Sequence, residues 1–243
     1  MTVYIGGIKY VPGTYAKKRP GAAEIADKYM REWDNVRLER ARPGQEILPA
    51  VCFSRKIGVG ALEVADILAE KLNYRVIDRE IIEHIANQAE LSEKTVTIFD
   101  ERYPGKLNEF LAFAFGEKSF IRSDYTRHLF RAIFAAAGLA PTIFVGRGAH
   151  LVLPRDRVLA VRFICSREYR VKRLSQILKV KAKEADSKLD QIDKEQKDFF
   201  KKAYGLKDAS PYEFDMVINC DYISEPEWAA ELVAQAFKSK FAD

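Results

Sequence analysis

The sequence predicts an α/β fold of three layers, in which helices cover both faces of a central parallel sheet of about five strands. Strand-like apolar runs alternate with helical patterns from residue 48 onward, and the runs at 142–146 and 158–164 are almost continuously apolar. Strands that are covered on both faces lose the alternation of apolar and polar residues, because neither face meets water. Ligands bind beyond the carboxyl ends of the strands in such sheets, so we expect the functional residues directly after the strands.

The individual elements follow from the spacing of the apolar residues. Short apolar runs predict strands at 48–53, 74–77, 142–146, 158–164 and 215–220. Apolar residues that recur with the helical period predict helices at 60–72, 79–90, 106–115, 119–138, 167–180, 186–204 and 225–240. The two kinds of element alternate along most of the chain, as they do in a parallel sheet whose strands are joined by helices.

Residues 1–47 are predicted to be an N-terminal extension of a main domain that spans residues 48–243. A short apolar piece, Tyr4–Val11, precedes a pattern in which apolar residues recur at steps of four, four and three, at Ile25, Tyr29, Trp33 and Val36. Side chains at these steps lie on one face of a helix. We expect an amphipathic helix that docks on the main domain or on a partner subunit, and the Trp33 face would suit a homodimer contact.

The composition is that of an ordinary globular protein. The chain has 243 residues, of which 48% are hydrophobic, and its formal net charge is +5. No apolar run approaches the roughly 18 residues that a membrane span needs, and the N-terminus lacks the layout of a signal peptide. Cys52, Cys165 and Cys220 lie in apolar runs, which favours free buried thiols. We therefore expect a cytoplasmic protein without a membrane partner.

A glycine-bearing turn follows the first predicted strand and leads into a helix. Ser54-Arg55 end the strand, and Gly58-Val59-Gly60 form the turn. Glycines allow the backbone to direct its N–H groups at an anion, and the N-terminus of the following helix adds a positive dipole. The usual phosphate loop continues with lysine and a hydroxyl residue, whereas here Ala61, Leu62 and Glu63 follow. The turn therefore predicts a phosphate cradle by its shape and without the usual side chains.

Charged residues follow the second and third predicted strands. Asp78 comes at the end of the second strand, where it is expected either to cap the next helix or to contact a ligand. Arg147 stands between Gly146 and Gly148 at the end of the third strand. Flanking glycines permit the close approach of a ligand, and a guanidinium group binds phosphate through two parallel hydrogen bonds. We therefore expect Arg147 to contact a phosphorylated ligand.

Basic residues are concentrated after the fourth predicted strand. Ser166 is a predicted N-cap, and Arg170 and Arg173 lie one turn apart on the helix that it begins. The charged helix at 186–204 is either a plain solvated helix or a mobile lid that brings basic groups over phosphates. Nucleic-acid binding through this helix is disfavoured, because its lysines alternate with acidic residues.

In their order and spacing, these residues resemble the cytidylate kinase-like family of P-loop proteins over roughly residues 48–240. The motifs that carry the resemblance are Ser54-Arg55, Gly58-Val59-Gly60, Asp78-Arg79-Glu80, Leu91-Ser92-Glu93, Asp100-Glu101, Gly146-Arg147-Gly148, Arg170–Leu174 and Asp193-Lys194-Glu195. The resemblance implies a P-loop kinase architecture with a helical lid over residues 175–207 or so. It implies phosphoryl transfer from ATP, with Mg²⁺, to a nucleoside monophosphate or a related small molecule.

The resemblance also implies roles for residues of this chain. The donor phosphates would be held by the turn after the first strand, at Ser54, Arg55, Gly58, Val59, Gly60, Ala61 and Leu62. The acceptor nucleotide would face Asp78, Arg79 and Arg147, and Glu63 would help to place Mg²⁺. The catalytic charges would come from Arg147, Arg170, Arg173 and Lys194. Such a transfer needs positioned reactants and positive charge rather than a covalent nucleophile.

The chain departs from the family pattern at positions that would face the phosphates. Leu62 and Gln196 stand where the family usually has arginine, Ala61 replaces a glycine, and Phe199-Phe200 replace a pair of tyrosines. An arginine beside a transferring phosphoryl group contributes about 10³-fold or more in rate. A second interpretation is therefore a nucleotide-binding relative of the kinases that has lost transfer and acts as a sensor or as a subunit.

Overall fold

The computed structural model describes residues 3–5, 8–10, 20–37, 48–103, 105, 124–206 and 209–241. The chain begins with two short antiparallel strands, β1 (Val3–Ile5) and β2 (Ile8–Tyr10), which lie within the predicted apolar piece or beside it. Helix α1 (Ala22–Arg37) follows and confirms the helix that was predicted for the N-terminal extension.

The main domain contains a five-stranded parallel sheet. Its strands are β3 (Ala50–Arg55), β4 (Arg75–Asp78), β5 (Thr142–Val145), β6 (Val158–Ile164) and β7 (Met216–Asn219). The strand order is β4-β5-β3-β6-β7, and the pairings are parallel throughout. The predicted α/β fold is thus confirmed, and each predicted strand is found within two residues of its predicted bounds.

Helices cover both faces of the sheet. In the described part of the main domain they are α2 (Ala61–Leu72), α3 (Arg79–Asn87), α4 (Ala89–Arg102), α5 (Asp124–Leu139), α6 (Ala149–Val152), α7 (Arg167–Leu178), α8 (Ala182–Tyr204) and α9 (Pro226–Phe241). Single 3₁₀ turns occur at Arg155–Arg157 and Pro211–Glu213. The helix predicted at 106–115 lies outside the described residues.

Helix α4 is an element that the apolar spacing did not predict. The helix predicted at 79–90 ends at Asn87, and Gln88 has an extended backbone before α4 begins. Two of the positions that α4 buries are polar, since Ser92 is 1% exposed and Thr95 is fully buried. A helix that buries polar side chains shows no clear apolar period, which explains why the pattern missed it.

Apolar side chains form a separate core on each face of the sheet. One core, around Trp33 and Phe134, lies between the sheet and helices α1, α3, α4 and α5. The other, around Phe53, lies between the sheet and helices α2 and α9. A third, smaller cluster includes Ile57 from the turn after β3 and Leu189 from α8. This cluster holds α7 and α8 over the carboxyl end of the sheet.

Helix α1 docks on the main domain of its own chain. Trp33 is fully buried, the Tyr29 hydroxyl donates to the carbonyl oxygen of Val76 at 3.2 Å, and Arg75 pairs with Glu32 at 2.8 Å. The expectation that the Trp33 face would suit a homodimer contact is therefore wrong, because the same chain already covers that face. A homodimer formed through another surface stays a prediction.

Two of the three cysteines are buried, as the sequence predicted. Cys52, Cys165 and Cys220 are free, the first and third being buried and Cys165 half-buried. Burial raises the pKa of Cys165 to about 12 and that of Cys220 to about 11. Within the ranges that the structure describes, no helix combines the length and the apolar character needed to cross a bilayer.

Candidate functional site

The turn after β3 has a backbone that suits an anion, and α7 packs against it. Gly58 and Gly60 have positive φ angles of 90° and 92°, and Gly60 is the N-cap of α2. A Cβ atom on Gly58 would lie 3.2 Å from Cγ of Leu174, and one on Gly60 would lie 3.2 Å from Cζ of Arg173. The two glycines therefore allow both the left-handed backbone and the close approach of α7.

After Lys56, which is exposed, the side chains of this turn are buried and uncharged. Val59, Ala61 and Leu62 are 2%, 2% and 7% exposed, and they belong to the core that α2 and α9 share. Backbone N–H groups and the dipole of α2 are therefore what this segment offers to a phosphate. Arg173 lies against Gly60, so its guanidinium group is a side-chain charge close to the turn.

Glu63 forms an ion pair that occupies its carboxylate. Oε2 of Glu63 lies 2.7 Å from Nη2 of Arg173, and both side chains are mostly buried. The hydroxyl residue that binds Mg²⁺ in the usual phosphate loop is absent, since Leu62 follows Ala61. The described part of the chain contains no cluster of three or more His, Cys, Asp or Glu side chains that could hold a metal ion. These residues do not fit a Mg²⁺ ion held by the protein at this turn.

Arg147 is the centre of a second set of contacts, at the end of β5. It has a φ angle of 54° and lies between two glycines that also have positive φ. Its Cζ lies 3.9 Å from the centroid of the Phe199 ring, its Nη2 donates to Glu83, and its carbonyl oxygen accepts a hydrogen bond from the Tyr204 hydroxyl. A Cβ atom on Gly148 would lie 2.7 Å from Cζ of Tyr204, so glycine is required for this approach. Helix α8 thus packs directly on Arg147.

Two adjoining clefts open at the carboxyl end of the sheet. The first is lined by three arginines, Arg55, Arg79 and Arg147, together with Ser54, Gln196 and Phe200. The second shares Ser54, Arg55, Gln196 and Phe200 with the first and adds the charged residues Lys56, Arg162, Asp193 and Lys197. The Gln196 side chain joins α8 to β3, since its Nε2 donates to the carbonyl oxygen of Arg55 at 2.8 Å.

The three arginines of the first cleft repel one another. Burial lowers the pKa of Arg147, and the charges of Arg79 and Arg55 lower it further. An anion bound among the three guanidinium groups would relieve this repulsion. The arginines come from the end of β3, the start of α3 and the end of β5, and they meet because β4, β5 and β3 are neighbours in the sheet. The first cleft is therefore suited to a phosphorylated ligand.

Asp78 and Arg170, both predicted site residues, have structural partners and line neither cleft, as do Glu63 and Arg173, which pair with each other. Asp78 caps α3, since its Oδ1 accepts hydrogen bonds from the backbone N–H groups of Glu80 and Ile81 at 2.9 and 3.0 Å. Arg170 is 3% exposed and pairs with Asp193 of α8. The capping role that the sequence offered as one alternative for Asp78 is thus observed, and Asp78 is not part of the lining of either cleft.

Helix α8, the predicted lid, presents to the clefts a different lysine from the one that the resemblance implied. Lys194 is exposed and lines neither cleft, whereas Lys197 lines the second cleft. Reasoning from sequence also missed Arg162 and Glu83. A signal for Arg162 was present, because it is the charged residue within the apolar strand Val158–Ile164. Its Nη1 lies 3.4 Å from Oγ of Ser54.

Solved structures of other proteins are similar to this chain to different degrees. A crystal structure of an uncharacterized protein from Eubacterium ventriosum has a similar fold, with a TM-score of 0.58 at 19% identity, covering 80% of this chain and 99% of that chain. Shikimate kinase from Bacteroides thetaiotaomicron has a TM-score of 0.39 at 15% identity, covering 79% and 96% of the two chains. Shikimate kinase from Acinetobacter baumannii, in complex with shikimate, has a TM-score of 0.41 at 16% identity, covering 82% and 97%. No curated protein matches the sequence significantly.

The family is shown by a match that spans most of the main domain. The model of the cytidylate kinase-like family matches residues 50–222, which include the turn after β3, the three arginines of the first cleft and helix α8. The resemblance drawn from the short motifs is therefore confirmed. The chain belongs to the cytidylate kinase-like family.

Proposed function

We propose that the protein transfers a phosphoryl group from ATP to a nucleoside monophosphate or to a related small phosphorylated molecule. The observation that carries the proposal is the convergence of Arg55, Arg79 and Arg147 on one cleft beside the turn after β3. Three guanidinium groups form a binding site for a phosphate group. The neighbouring turn, with its two left-handed glycines and the N-terminus of α2, suits the phosphates of a donor.

The proposed reaction follows from this arrangement. An oxygen of the acceptor phosphate attacks the terminal phosphorus of ATP, a new P–O bond forms, and the bond to the leaving ADP breaks. Arg147 and Arg79 hold the acceptor phosphate, and Arg173 lies against Gly60, on the donor side. Positive charge that is fixed in place stabilises the developing negative charge of such a transfer. Helix α8 packs on Arg147 through Phe199 and so holds one wall of the site in place.

A second candidate function is nucleotide binding without transfer. It is favoured by the burial of Leu62 where the family usually has arginine, and by the pairing of Arg173 with Glu63. Both features remove positive charge from the donor side of the site. The first cleft would keep its affinity for phosphate under this alternative, because its three arginines do not depend on the turn.

The two candidates are separated by conversion of ATP to ADP, measured with purified protein, Mg²⁺ and a panel of nucleoside monophosphates. The matched variants are Arg147→Ala, in the cleft, and Arg127→Ala, an exposed arginine on α5 that pairs with Asp124. Turnover with one acceptor that falls about 10³-fold in Arg147→Ala, and not in Arg127→Ala, supports the kinase. Monophosphate binding that Arg147→Ala removes, without turnover in any protein, supports the second candidate. Binding that is equal in all three proteins would contradict both.

A further inference from the structure

Glu83 lies behind the arginines of the first cleft. It follows Arg79 by one turn of α3, and both oxygens of its carboxylate lie 3.4 Å from Nε of Arg79. The same carboxylate accepts a hydrogen bond from Nη2 of Arg147. One acidic side chain therefore bridges two of the three guanidinium groups that line the cleft.

The position of Glu83 indicates whether it supports the arginines or competes with a ligand for them. A carboxylate that occupied the place of the ligand's phosphate would line the cleft, whereas Glu83 is not part of the lining of either cleft. Its side chain is 22% exposed and that of Arg147 is 9% exposed. The carboxylate thus contacts the arginines from the side of α3, and the cleft itself stays free of negative charge from this residue.

Three contacts hold Arg147 in place. Phe199 stacks on its guanidinium group, the Tyr204 hydroxyl binds its carbonyl oxygen, and Glu83 accepts from Nη2. Its Nε is buried and has no hydrogen-bond partner in the described part of the chain. A buried donor without a partner is costly, so the other contacts of Arg147 must hold the side chain in this position.

We propose that Glu83 is a positioning residue of the phosphate site, which holds Arg147 and Arg79 so that their remaining donors face the ligand. The inference rests on the proposed function only in placing the acceptor phosphate in the first cleft. It adds a residue that neither the short motifs nor the clefts identify. Glu83 acts through the two arginines and does not itself touch the ligand.

The test is a double-mutant cycle between Glu83 and Arg147, with inorganic phosphate as the probe and isothermal calorimetry as the measurement. Glu83→Gln should weaken phosphate binding about tenfold, because the charge-assisted hydrogen bonds from Arg147 and Arg79 become weaker bonds to a neutral amide oxygen. In the background of Arg147→Met, which keeps much of the side-chain volume, the same change should weaken binding clearly less, because only the contact of Glu83 with Arg79 then remains. Glu83→Asp should recover part of the affinity. The control is Glu90→Gln, at an exposed position on the neighbouring helix.

Each outcome decides the inference independently of turnover. Equal losses of affinity from Glu83→Gln in both backgrounds would contradict the inference, because they would mean a general structural effect. Tighter phosphate binding in the single variant would also contradict it, because it would mean that Glu83 competes with the ligand. A lowered unfolding temperature of Glu83→Gln, measured without phosphate, would identify the general structural effect. Coupled losses without phosphoryl transfer would leave the inference standing while the proposed enzyme activity fails. If the unaltered protein did not bind phosphate, both would be wrong.

Discussion

The guanidinium group of Arg170 donates to both carboxylate oxygens of Asp193, at 2.9 and 2.6 Å. Its Nε donates to the carbonyl oxygen of Ile57 at 2.8 Å, so the same side chain also holds the turn after β3. Arg170 is 3% exposed. One buried arginine of α7 therefore connects the phosphate-binding turn to helix α8, and the catalytic role that the resemblance implied for it would require it to leave these partners.

We predict that Arg170→Ala lowers the free energy of unfolding by about 3 to 5 kcal/mol, because it leaves the Asp193 carboxylate half-buried without its partner. Urea denaturation of the variant and of the unaltered protein measures this difference. The control is Arg127→Ala, whose exposed pair with Asp124 is worth about 1 kcal/mol or less. A loss from Arg170→Ala as small as that of the control would show that the pair does not hold α8.

Arginine at the two positions where the family usually has it should improve phosphate binding at one position and lower the stability of the protein at the other. Gln196 lines both clefts, so Gln196→Arg places a new charge beside the phosphate and should tighten the binding of inorganic phosphate about tenfold. Leu62 is 7% exposed inside a core, so Leu62→Arg buries a charge and should cost roughly 2 kcal/mol or more of stability. Calorimetry and urea denaturation measure the two effects. Tighter phosphate binding from Leu62→Arg at unchanged stability would contradict this account of the turn.

Asp66 should make the protein less stable as the pH rises. Burial, with the charges of Asp78 and Glu70, raises the pKa of Asp66 to about 6. The pKa in the unfolded chain is near 3.9, so the folded protein binds the extra proton between the two values. The stability that this proton contributes is present below about pH 4 and is lost as the pH rises through about 6.

We therefore predict that Asp66→Asn stabilises the protein at pH 7.5 by about 1 to 2 kcal/mol, after allowance for solvent screening, and has little effect near pH 4. Thermal unfolding at the two pH values measures the difference. Asp198→Asn, on the exposed surface of α8, is the control. A variant that is equally stabilised at both pH values would show that the effect has another origin than the ionisation of Asp66.

The N-terminal helix should be part of the stable fold. Trp33 is fully buried in the core around α3, α4 and α5, so Trp33→Ala should cost about 3 to 5 kcal/mol of unfolding free energy. The chain contains a second tryptophan, Trp228, which is 54% exposed and provides the matched control. Chemical denaturation of Trp33→Ala and Trp228→Ala measures both effects. Similar small losses would mean that α1 is not an integral part of the domain.

The fold was predictable because its signals are local. The apolar runs of β5 and β6 indicate strands that are covered on both faces, and these two strands flank the central strand β3. The exception, α4, buries Ser92 and Thr95, and polar residues at buried positions hide the apolar period from which a helix is recognised. The sequence did not decide whether the Trp33 face docks on the main domain or on a partner subunit. An apolar face indicates that it is buried and does not indicate which surface covers it.

What the sequence determined by itself is the order of the elements, the glycine turn, the basic residues at the strand ends and the membership of the family, since each depends on residues that are close in the chain. The tertiary structure alone decided which charges remain for a ligand. Arg55, Arg79 and Arg147 share a cleft, and Glu83 contacts two of them from outside its lining, whereas Arg170, held by Asp193, and Glu63, held by Arg173, line neither cleft. The pairs of Arg170 and of Glu63 join residues 23 or more positions apart, and a charge that is held away from a cleft looks the same in the sequence as one that lines it.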